Sequence, residues 1–225
     1  MKKIILVAVF AMLTVLGAFA QDFDENNGKT YCEPMQNMRF GYAGVLGASS
    51  NLVGGFDFGF NIFELGVRPY NGGRISLGAD FQIDVINAAD GYYFSSASHK
   101  TNVVPATADF NMLDVKNARF DLISFAFPLE FSQKFGDKVE FTIGASAKIN
   151  LNADTYVRYK NATGDYCTLT VEGIRTRRLT YDIHLAITYD DFGVYASYNP
   201  MGAFTQEFGP AFSFFTVGAI FRIDE

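Results

Sequence analysis

The chain has 225 residues, a net charge of −6, 24 Phe, 12 Tyr, 21 Gly and no Trp. That length fits one domain, and an acidic balance without any Lys/Arg run excludes nucleic acid as a partner. So aromatic a chain needs either a large buried core or an apolar medium outside the fold.

Residues 1–20 read as a secretory leader: Lys2 and Lys3, then an apolar run from Ile4 to Gly17, then Ala18-Phe19-Ala20 as a small-x-small cleavage pattern. The run is short for a bilayer-spanning helix. The acidic, polar stretch Gln21 to Asn27 follows it at once, and no Cys marks a lipoprotein signal. Removing Lys2 and Lys3 with the leader takes the net charge from −6 to −8. Residues 21–37 are then expected as a periplasmic arm, and 38–225 as the folded domain.

Past the leader the apolar period is two throughout. Alternation predicts eight strands, at 39–48, 55–68, 74–86, 119–132, 138–158, 169–189, 193–199 and 212–223. The second changes phase: Phe56, Phe58 and Phe60 share one face, while Phe63, Leu65 and Val67 share the other unless a β-bulge near Asn61-Ile62 realigns them. The third (Ile75, Leu77, Ala79, Phe81, Ile83, Val85) and the fifth (Val139, Phe141, Ile143, Ala145, Ala147, Ile149, Leu151) alternate strictly. Strands this long exceed the usual globular length and suit a tilted membrane crossing.

Tight connections at Asn71-Gly72, Gly136-Asp137 and Asp190-Asp191 alternate with longer ones at 49–54, 87–118, 159–168 and 200–211. All the tight turns therefore lie at one end, as in outer-membrane barrels with short periplasmic turns and long outer loops. The expected fold is an all-β, eight-stranded antiparallel transmembrane β-barrel. Side-chain size decides which face meets lipid. The apolar face carries large Phe, Ile, Leu, Val and Tyr side chains, too many for an eight-stranded interior. The other face carries Ser76, Gly78, Ser124, Ala126, Gly144, Ser146, Ala186, Thr216 and Gly218 with interspersed charges. Lipid therefore faces the apolar side, with Phe131, Phe141 and Tyr189 in a girdle near the short turns.

Three segments carry a resemblance: Phe127-Pro128-Leu129-Glu130-Phe131, Phe192-Gly193-Val194-Tyr195-Ala196-Ser197-Tyr198 and Val217-Gly218-Ala219-Ile220-Phe221-Arg222. With these the chain resembles the PorT-like outer-membrane β-barrel family of Bacteroidetes. The resemblance implies an outer-membrane barrel, inserted by the barrel-assembly machinery, and an accessory role in protein secretion as an alternative. Barrels of this kind usually end on an aromatic residue. This chain ends Arg222-Ile223-Asp224-Glu225, so Phe221 would serve, displaced inward.

The narrow lumen is expected to hold Asp80, Asp84, Glu130, Glu140, Lys148, Asp182, His184 and Arg222, paired across the barrel because lone buried charges are costly. Enzymatic barrels need His with Ser or acidic partners. Only His99 and His184 are available, and His99 sits in the serine-rich 94–100 segment where a lipid-modifying site would have to form. No metal-ligand spacing and no cofactor motif is present. Cys32 on the arm and Cys167 at an outer hairpin tip are placed at opposite ends and should not pair. Arg158, Arg175, Arg177 and Arg178 rise past the membrane and form a candidate contact for lipopolysaccharide phosphates. The expected role is a non-enzymatic barrel with a filled lumen, acting through its outer loops on surface partners or in envelope integrity.

Overall fold

A computed structural model describes residues 30–35, 37–47, 51–97, 100–108, 112 and 114–223. The leader, the first part of the expected arm and His99 lie outside the described residues.

Twelve strands form: β1 (Thr30–Pro34), β2 (Asn37–Leu46), β3 (Leu52–Tyr70), β4 (Gly73–Ala88), β5 (Tyr92–Ala97), β6 (Lys100–Pro105), β7 (Asp114–Phe135), β8 (Val139–Lys160), β9 (Tyr166–Val171), β10 (Leu179–Tyr189), β11 (Phe192–Asn199) and β12 (Ser213–Arg222). Every neighbouring pair is antiparallel, and β12 pairs back onto β2, from Ser213 opposite Leu46 to Arg222 opposite Asn37. That last pairing closes the barrel and leaves its body without an edge. β1 continues the line of β2 along β3, and β9 continues the line of β10 along β8, so the wall has eight strands. The expected eight-stranded antiparallel transmembrane barrel is the observed fold.

Three departures sharpen it. Thr30–Pro34, inside the stretch expected as an arm, is a rim strand whose Tyr31 is buried against Glu64. The expected sixth strand is broken at 172–178, where the chain turns inward and seats Ile174 in the core. The 87–118 connection contains the β5–β6 hairpin and a short 3-10 turn at Ala106–Ala108.

The bulge in β3 is present: Asn61 lies opposite Asp80 and Phe63 opposite Ala79, so Ile62 is the extra residue. It turns Phe56, Phe60, Leu65 and Val67 outward together and brings Asp57, Asn61 and Glu64 inward. A second bulge falls in β8, where Asn150 faces Ser124 and Asn152 faces Ile123, leaving Leu151 unpaired. Below it, odd-numbered β8 side chains such as Ile143 and Ile149 are exposed; above it, Ala153, Thr155 and Val157 are buried.

Exposed apolar side chains ring the wall. Phe40, Leu77, Leu129, Ile143, Ile183, Val194 and Val217 represent seven strands, each 47–57% exposed. Tyr70, Phe135, Tyr189, Phe192 and Phe221 stand beside the short turns, with Phe192 and Phe221 packed edge-on at 5.3 Å. This is the apolar band and aromatic girdle of a membrane-spanning barrel.

Candidate functional site

The lumen is the first candidate, and it divides into layers. At the short-turn end it opens as a vestibule of about 780 Å³, bordered by Glu33, Arg68, Arg74, Lys134, Glu140 and Arg222. At the base of that vestibule Arg74 bonds Glu140 at 3.0 Å and Glu64 at 3.3 Å, while Arg222 holds the other Glu140 oxygen at 3.0 Å. Tyr31 donates to Glu64 at 2.6 Å.

The next layer pairs Arg39 with Asp80 at 2.7 Å and His184 Nε2 with Glu130 at 2.9 Å; Asn61 donates to Asp80 at 2.9 Å. Above it Lys148, fully buried, reaches Asp84 at 2.9 Å and Asp182 at 3.1 Å. Asn199 donates to Asp182 at 2.7 Å, Gln82 bridges Asp57 and Asp84 at 2.5 and 3.1 Å, and Tyr195 donates its hydroxyl proton to Asp57. All eight charged residues expected inside thus lie in the interior; six have a partner of opposite charge, and Glu130 and His184 bond each other. Their partners Arg39, Asp57, Glu64 and Arg74 escaped the sequence reading. Their signal was available, because each stands in the phase opposite to the apolar side chains of its strand.

The outer half of the lumen was not expected. Phe94, Phe120, Phe204, Phe212 and Phe214 form one buried cluster with Leu52, Ile86, Leu122 and Ile174. Phe120 touches both Phe94, at 6.0 Å between ring centres, and Phe204, at 4.9 Å. Segments distant in sequence are clamped over it. Thr101 N–H donates to the Phe208 carbonyl at 2.8 Å, and Arg177 donates from its backbone to Ala203 at 2.8 Å and from its side chain to Phe204 at 3.0 Å. Lys148 marks the boundary, with its ammonium 5.4 Å from the centre of the Phe214 ring.

The second candidate is the outer extension of β7, β8 and β9. Here the structure separates the four arginines expected to cluster. Arg177 is taken into the cap, Arg175 stacks on Phe208 at 4.9 Å, and Arg178 is exposed beside β10. Arg158 alone stands on the outward face of the extension, joined there by Arg119 and Lys160: Arg119 lies 5.0 Å from the Tyr156 ring, Arg158 5.0 Å and Lys160 5.1 Å from the Tyr166 ring. Sequence proximity grouped the arginines; strand register and the inward turn at 172–178 disperse them. Cys32 and Cys167 are both free, the first on the rim strand β1 and the second on β9. Among the described residues no cluster of His, Cys, Asp and Glu has the geometry to hold a metal ion.

No family model matches the chain, and no curated protein matches it in sequence. Among solved structures it is similar to Ail, the attachment invasion locus protein of Yersinia pestis. The identity is 12%, covering 85% of this chain and 99% of that one, with a TM-score of 0.41. It is also similar to a mutant porin of Rh. blastica, at 11% identity over 86% of this chain and 100% of that one, with a TM-score of 0.20. Likenesses this distant carry no information on activity.

Proposed function

We propose that this protein is a non-enzymatic outer-membrane barrel of a Gram-negative envelope, closed to solutes, that acts through its outer extension in surface interaction or envelope integrity. The observation that carries the reading is a lumen filled in two successive ways. The ion-paired layer around Lys148 leaves no unpartnered charge to conduct or react, and the phenylalanine cluster above it excludes water. A wall this narrow has no spare volume for a path around either layer. The interior His184 is bonded to Glu130 and lies 3.4 Å from Ser146, but all three are hemmed in by the lumen wall, so no substrate can reach the serine. What remains for interaction is the part beyond the band, where β7, β8 and β9 continue as a three-stranded sheet.

Planar-bilayer recording on the purified, refolded barrel tests the closed lumen. The expected trace lacks unitary conductance steps; reproducible ohmic steps would sink the reading. Heat-modifiable migration in the outer-membrane fraction tests the location, and recovery of the protein in the soluble periplasm would contradict it.

A further inference from the structure

Eight of the eighteen lysines and arginines are already committed to carboxylates. Arg39, Arg74, Lys148 and Arg222 are ion-paired in the lumen, and on the surface Arg68, Lys116, Arg119 and Lys138 each hold a carboxylate. Arg158 and Lys160 are not among them, and they share one aromatic ring. They stand two residues apart on the outward face of β8, 5.0 and 5.1 Å from the centre of the Tyr166 ring, and among the described residues no carboxylate is paired with either. Asp114, which lies opposite Lys160, is taken by Lys116 at 2.9 Å. A guanidinium stacked on an aromatic face keeps its in-plane N–H groups for a phosphate oxygen pair.

Height above the membrane selects the ligand. Ile149 is the last exposed large apolar side chain on β8, and Leu179, opposite it on β10, is exposed too. From Ile149 to Arg158 a strand tilted by about 45° climbs roughly 20 Å. Phosphates attached directly to a lipid lie only about 5–7 Å beyond the hydrocarbon. We infer that Arg158, Lys160 and Tyr166 form a binding site for a phosphorylated saccharide of the surrounding outer-leaflet glycolipid, gripped above the lipid headgroup layer. The two cations take the phosphate, and the Tyr166 ring, 5.0 and 5.1 Å from them, holds both in place. The assignment rests on the outer extension being presented at the cell surface, as proposed above. Conductance bears on the lumen alone, so the two readings can fail separately.

The test uses the refolded full barrel in detergent and the phosphorylated core oligosaccharide released from its lipid anchor by mild acid hydrolysis of lipopolysaccharide, with binding followed by calorimetry at low salt. The native protein should bind it, with affinity falling as salt rises. The Arg158→Ala/Lys160→Ala double variant should lose about tenfold or more. Tyr166→Ala should lose several-fold, whereas Tyr166→Phe, which keeps the ring, should bind as the native protein does. Retained heat-modifiable migration checks that each variant is folded. Phosphatase treatment of the oligosaccharide should abolish binding. Equal binding of the dephosphorylated sugar, or an unchanged double variant, overturns the phosphate assignment. Equal binding of short-chain polyphosphate overturns the saccharide assignment.

Discussion

The two halves of the lumen fill the same cylinder by opposite means. On the short-turn side the filling is ionic: Lys148 answers Asp84 and Asp182, Arg39 answers Asp80, and Arg74 and Arg222 share Glu140. On the outer side it is aromatic, five phenylalanines packed with aliphatic neighbours. The ionic half is unforgiving, since removing one partner leaves a desolvated charge. The aromatic half is graded, since dispersion and area losses scale with the volume removed. The difference also follows the surroundings. Where the wall meets lipid its apolar side chains are needed outside, so the inside is left polar. Where the wall rises into water, the apolar side chains turn inward and make an ordinary core.

The largest effect expected from this contrast is at Lys148. Lys148→Met keeps the volume but strands Asp84 and Asp182, and should cost about 3–5 kcal/mol, read as a lower urea midpoint for loss of the heat-resistant band. Adding Asp84→Asn and Asp182→Asn should restore most of it; if the single variant is as stable as the native barrel, the ionic half is not what holds the lumen. Next comes Phe120→Ala, expected to cost about 3 kcal/mol by opening a cavity among Phe94, Phe204 and Leu122, while Phe120→Leu should cost about 1 kcal/mol. Equal losses for the two would mean that the outer half is as exacting as the inner. A smaller effect than either Lys148→Met or Phe120→Ala is expected at Tyr195→Phe, which removes one hydrogen bond to Asp57 and should lower stability by about 1–2 kcal/mol in the same assay. A loss as large as that of Lys148→Met would place Asp57, not Lys148, at the centre of the charged layer.

Much of this is legible in the amino-acid sequence. Strict alternation from Val139 to Asn152 fixes a strand, tight turns at one end fix an up-and-down order, and the size contrast between faces puts lipid outside. The β3 bulge was legible as a phase break between Phe60 and Phe63. Interior positions such as Asp80 and His184 followed from phase alone, and Arg39, Asp57 and Arg74 were readable by the same rule.

The outer core escaped because alternation shows which residues share a face and is silent on what that face meets. In β7 the inversion is written as adjacent apolar residues: Leu122 is buried and Ile123 lies on the outer face, and Phe214-Phe215 in β12 repeats the device. In β8 the sequence alternates without interruption from Val139 through Ala153, and only the unpaired Leu151 turns the apolar face from lipid to core. A bulge inside an unbroken pattern leaves no mark in one strand's sequence, because its cause is the register of the neighbouring strand. The dispersal of Arg158, Arg175, Arg177 and Arg178 has the same origin: their spacing is local, but the inward turn at 172–178 exists only because Ile174 finds a core assembled from β4, β7, β12 and the outer loops. Sequence determined the period, the turns and the sidedness within the bilayer. Tertiary structure decided where the bilayer stops, since that boundary is set by which side chains can meet across the closed barrel.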